Sequence, residues 1–97
     1  MNSIPVDVLS RTTDGAVLTG SGRFLGGNLT GTDGAVAAVT VYDNTAASGL
    51  VIATARTDAA GSTIHFGPHG SCGVNVNIGI YVDVTGTPRC EVFYQQG

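Results

Sequence analysis

Apolar residues recur at every second position along this chain, in short runs cut apart by glycine and aspartate. The longest run lies near the end. From Val74 to Val84 each even position is apolar (Val74, Val76, Ile78, Ile80, Val82, Val84), and the odd positions hold Asn75, Asn77, Gly79, Tyr81 and Asp83. A period of two marks a strand with one face buried. Beyond Thr85, Gly86, Thr87 and Pro88, the residues Cys90, Val92 and Tyr94 alternate in the same way. Setting Val84 opposite Cys90, Val82 opposite Val92 and Ile80 opposite Tyr94 puts all these apolar side chains on one face. The two segments are therefore expected to form a central hairpin.

Shorter strands are predicted upstream. Ile4, Val6 and Val8 share one face of residues 4–10, and Asp14 with Gly15 marks a turn. Residues 16–19 and 22–30 read as strands, with Gly26 and Gly27 marking a bulge or a close backbone approach. A turn at 32–34 leads into 36–42, where Ala37, Val39 and Val41 fall on one side. A polar loop over 43–49 precedes a returning strand over 50–56, and a turn follows at 58–61. On 62–66, Ile64 and Phe66 are in phase and His65 points to the polar side. No window carries a helical stripe. The sum is an all-β fold, a small antiparallel β-sandwich or jelly-roll-like barrel of about seven or eight strands.

Composition adds a constraint on the surface. The 97 residues make a single domain, 1–97. Charged residues are 11% of the chain, Lys is absent and Gly occurs 15 times. Soluble domains average about 25% charge. A weakly charged surface on a small core suits a chain covered by partners, so a homo-oligomer or larger assembly is expected. A net charge of −3 and four scattered Arg do not make a nucleic-acid surface. No apolar run approaches the roughly 20 residues of a membrane helix. The first residues have neither a charged nor an apolar leader segment, so synthesis in the cytoplasm without secretion is expected.

Catalytic and metal chemistry find little to build on. His65, His69, Cys72 and Cys90 are candidate ligands, but their spacing lacks the close Cys pair of a zinc site, and no metal is expected. No Ser or Cys sits in a nucleophile motif. The seven acids are isolated and mostly in turns. The glycine pairs precede no helix and no Lys, which excludes a phosphate loop. The expectation is a non-enzyme with no cofactor. Cys72 and Cys90 leave three readings open: two buried thiols, an intrachain disulfide, or a disulfide between neighbouring copies with Cys90 near a hairpin tip.

Two segments carry a resemblance. One is Val-Thr-Val-Tyr-Asp-Asn-Thr-Ala-Ala-Ser-Gly (39–49) followed by Leu-Val-Ile-Ala, and the other is Ile-Gly-Ile-Tyr-Val-Asp-Val-Thr-Gly-Thr (78–87). Together with the Val-Phe-Tyr ending they resemble small virion structural proteins of tailed bacteriophages. Ile80 stands where that pattern has Leu, and the two Cys lie outside it. The resemblance implies a capsid decoration (cement) protein reinforcing contacts on the head surface. The alternatives are an adaptor of the neck, tail or fibre, or a receptor- or sugar-binding module. It implies the major capsid protein or other virion proteins as partners, a location in the virion, and a trimer as the form of the homo-oligomer. Partner contacts are expected from the two long connectors, at Asp43, Asn44, Ala46, Ala47 and Ser48, and at Gly67, Pro68 and His69.

Overall fold

The computed structural model describes residues 6–31, 37–57, 63–67, 73–86 and 88–97. The turns expected at 32–34 and 58–61, together with Ile4, Pro68, His69 and Cys72, lie outside them. Among the described residues there are nine strands: β1 (Asp7–Arg11), β2 (Gly15–Thr19), β3 (Gly22–Thr30), β4 (Ala37–Asp43), β5 (Leu50–Thr57), β6 (Thr63–Phe66), β7 (Val74–Val76), β8 (Gly79–Thr85) and β9 (Arg89–Gln96). All strand pairs are antiparallel.

They form two packed sheets. One runs β1-β9-β3-β6, with β7 pairing the same strand β3, and the other runs β2-β8-β4-β5. β6 and β7 pair successive stretches of β3 and together act as one interrupted strand. With that pair counted once, the orders become 1-8-3-6 and 2-7-4-5, the strand order of a jelly roll. All connections but β4–β5 and β6–β7 cross from one sheet to the other.

This topology corrects the expected central hairpin. β8 pairs β2 and β4, whereas β9 pairs β1 and β3, so the two segments lie in opposite sheets. Both still turn their apolar face inward. Alternation fixes which face is buried, but two strands of one sheet and two strands facing each other across a core satisfy it equally. The long alternating run is likewise not one strand. It leaves the first sheet after Val76, bends at Asn77 and Ile78, and enters the second at Gly79, leaving Ile78 52% exposed.

The core lies between the sheets. Phe24, Leu29, Cys90 and Val92 from the first sheet meet Leu18, Val39, Val41, Ile80 and Val82 from the second, all essentially buried. Phe24 stacks on Phe66 with centroids 6.3 Å apart. Ala37, Val39 and Val41 face inward as expected, and so do Ile64 and Phe66, while His65 faces out. β1 has the opposite phase to the expected one. Leu9 packs against the core, while Val6 and Val8 are each about half exposed. The register pairs Leu9 with the buried Val92, and that pairing decides which face of β1 turns inward.

The expected glycine bulge is present. The β3–β9 register slips between Phe24 and Gly26, and Gly26 sits at φ 107°. Gly27 has no room for a side chain, since a Cβ there would collide with the Glu91 carbonyl and come 2.7 Å from the Phe66 ring.

Candidate functional site

The end of the sandwich that carries the β4–β5 loop gathers several features. β4 ends there at Asp43, and β8 begins there after the bend at 77–78. The Asp43 carboxylate faces the backbone of that bend. Oδ1 accepts from the amides of Asn77 (3.1 Å), Ile78 (3.0 Å) and Gly79 (3.4 Å), and Oδ2 also accepts from Asn77 (3.2 Å). Burial on its own would raise this carboxyl, but the amides of Ile78, Asn77 and Gly79 outweigh it and hold the group below the ordinary carboxylate range. Asp43 therefore pins the point where the chain changes sheet. The Ile78 carbonyl in turn accepts from the Gly20 amide at 2.9 Å, tying the β2–β3 turn to the same bend.

The loop after Asp43 is organised from within. The Asn44 side-chain amide donates to the Ser48 carbonyl (2.8 Å) and hydroxyl (3.2 Å), and Asn44 Oδ1 accepts from the Thr45 amide (2.7 Å). The Ser48 amide donates to the Ala46 carbonyl at 2.8 Å. Such Asx-type bonding fixes a loop without a core beneath it. Residues 45–50 are all exposed. Leu50 is 67% exposed at the start of β5, and Val51 and Ile78 are exposed as well, outside the core.

The residues predicted for partner contact fall into separate places. Half-buried Asn44 and exposed Ala46, Ala47 and Ser48 belong to the self-bonded loop. Asp43, at the base of that loop, is 8% exposed, and its carboxylate is engaged by the amides of the 77–79 bend. Gly67 lies away from that loop, beside Gly26 at the middle of the first sheet, where any Cβ would overlap the Gly26 backbone. Of the second predicted segment only Gly67 is among the described residues, and it does not join the loop at 44–48.

The place of Cys90 is corrected. It lies on the inward face of β9, opposite Leu29, with no exposed surface, and is a free thiol. Burial, with a smaller push from Glu91, raises its pKa to about 11. The expected place near a hairpin tip does not hold, because β8 and β9 lie in opposite sheets and the thiol is enclosed between them. Among the described residues, no three potential metal-binding His, Cys, Asp or Glu side chains come together.

Two features had no signal in the sequence. One is a pair of carboxylates beside the β1–β2 turn. Asp14 Oδ1 accepts from the Val84 amide at 2.7 Å, adding a side-chain rung to the β2–β8 ladder. Asp83, on the outer face of β8, has its carboxyl raised by burial, by the Asp14 charge and by a hydrogen bond to Asp14. The other is a groove of about 310 Å³ on the outer face of the first sheet, lined by Ser21, Arg23, Asn75, Asn77, Gln95 and Gln96 among others. It exists because β7 and β9 both pair β3 at one level, which places Asn75, Arg23 and Gln95 side by side.

Fold and site together define a class: a small jelly-roll β-sandwich with a clamped, weakly charged loop end. Comparison with known protein families, curated proteins and solved structures gives no match to any of the three.

Proposed function

We propose that this chain is a bacteriophage virion structural protein, a capsid decoration module that acts by binding and performs no catalysis. The observation that carries the reading is the clamped loop end. An exposed loop, bonded within itself through Asn44 and Ser48, adjoins uncovered Leu50 and Val51, and the Asp43 carboxylate at its base holds the bend that carries Ile78. A docking surface of this kind loses little conformational entropy on binding, and its apolar positions supply the favourable term. The phage assignment is supported by the resemblance of segments 39–49 and 78–87. The jelly-roll order is in keeping with it, since that architecture recurs in viral capsid proteins, although fold alone does not fix function.

The module uses the loop end against the major capsid protein or another copy of itself, with a trimer as the proposed assembly. Cosedimentation of the purified chain with particles of its phage that lack it tests this. The wild type is expected to pellet with the particles, and Leu50→Arg is expected to remain in the supernatant while melting at the wild-type temperature. Equal pelleting of both would remove the loop end from the contact.

A further inference from the structure

The groove on the outer face of the first sheet has a chemistry of its own. At its centre is Arg23, exposed on β3. The other three arginines are engaged. Arg11 bonds the carbonyls of Thr13, Asp14 and Ala16, Arg89 stands 3.9 Å from Glu91, and Arg56 has a partner. Arg23 makes no ion pair among the described residues. Its neighbours across both strand pairs are Asn75 and Gln95, and Asn77 and Gln96 complete the polar wall. Among the described residues no Asp or Glu lines the groove, although the chain has more acids than bases. The pairing partners of Arg23 lie on both sides of it, so the rung from Asn75 to Gln95 spans roughly 10 Å. Phe93 lies two residues before Gln95 on the same face of β9, with Val8 opposite it and the side-chain-free Gly26 on its other side.

We propose that this groove binds a carboxylate-bearing oligosaccharide. A guanidinium with unused donors takes a carboxylate through two parallel hydrogen bonds. The side-chain amides of Asn75, Asn77 and Gln96 offer a donor and an acceptor each, which matches sugar hydroxyls, groups that likewise do both. Phe93 and Val8 continue the face with the apolar surface against which the C–H side of a sugar ring packs. The volume falls at the small end of the range for ligand sites. A site without acids around one uncommitted cation selects an anion, and the amide wall selects a polyhydroxylated one. The ligand goes beyond the decoration role and uses a different surface from the loop end.

The test is an NMR titration of the isotope-labelled full chain with trigalacturonate and with sialyllactose, each beside its uncharged counterpart, methyl-esterified trigalacturonate and lactose. At least one acidic sugar is expected to shift the Arg23 and Asn75 side-chain signals, with a Kd of about 1 mM or tighter. Removing the sugar's charge is expected to weaken binding about tenfold or more, and Arg23→Gln to weaken the acidic sugar to the same level. Asn75→Ala, a second surface variant, is expected to reduce affinity for the charged and uncharged sugars alike. Absence of shifts with both acidic sugars would overturn the proposal, as would equal binding of the uncharged ones. Equal shifts from an acetylated tripeptide with a free C-terminal carboxylate would make the groove a site for protein carboxylates instead. The titration uses the isolated chain, so its failure leaves the particle-binding reading standing, and failure to bind particles leaves the groove standing.

Discussion

Replacing Asp43 by Ala removes a side-chain acceptor shared by three backbone amides at the point where the chain changes sheet. The amides of Asn77 and Ile78 belong to exposed residues, and water replaces part of their bonding, whereas the Gly79 amide is buried. Hydrogen bonds to a charged partner contribute about 1.5–3 kcal/mol, and an abandoned buried donor costs about 1–3 kcal/mol. With two of the three amides rescued by solvent, the expected loss is about 2–3 kcal/mol. For a domain of this size that lowers Tm by roughly 10–20 °C. Asp43→Asn keeps an acceptor but loses the charge, and its loss is expected to be about half as large.

Urea unfolding followed by tyrosine fluorescence measures this, since the chain has three Tyr and no Trp. The effect also has a pH signature. The folded-state pKa of Asp43 lies below its unfolded value, so its contribution is full above the ordinary carboxylate range and is lost as pH falls through the lowered value. The gap between wild type and Asp43→Ala must therefore narrow in acid. A variant within about 0.5 kcal/mol of wild type at neutral pH, or a gap that persists unchanged in acid, would refute the clamp.

Asp83→Asn acts in the opposite direction. Its carboxyl is raised when folded, so the favourable contribution is present below the unfolded pKa and lost as pH rises through the folded one. The variant is expected to gain a few tenths of a kcal/mol at neutral pH and nothing in acid, as exposed charge pairs do, and parallel urea curves at the two pH values check it. Cys90 is expected to resist iodoacetamide in the native chain and to react fully after unfolding, because its thiol is buried with a pKa of about 11. Rapid native labelling, followed by mass spectrometry, would contradict that burial. Gly27→Ala is expected to cost more than about 2 kcal/mol in the same urea assay, because a Cβ there meets the Glu91 carbonyl and the Phe66 ring.

The fold class was legible because the physics that sets it is local. Period-two alternation at Val39 and Val41 and at Val82, and glycine at Gly26, act over a few residues, and each reads correctly from the chain. The pairing of strands was not legible. Val84 and Cys90 satisfy alternation whether they lie side by side in one sheet or face each other across the core, and only the global packing of β2 and β4 against β8 separates the two. β1 shows the same limit. Val6 and Val8 look like a buried face until Leu9 is set opposite Val92. In the loop, Asn44 and Ser48 read as turn residues, but the inward role of Asp43 depends on a bend more than thirty residues away. The groove was invisible for the same reason. Arg23, Asn75 and Gln95 are far apart in sequence and meet only through register.

The proposed function is tested most directly by quantitative mass spectrometry of purified phage particles produced from a genome that carries this coding sequence. The account predicts the protein in the virion at a fixed ratio to the major capsid protein, in many copies over the head. Absence from purified virions, or a handful of copies confined to the tail, would contradict it.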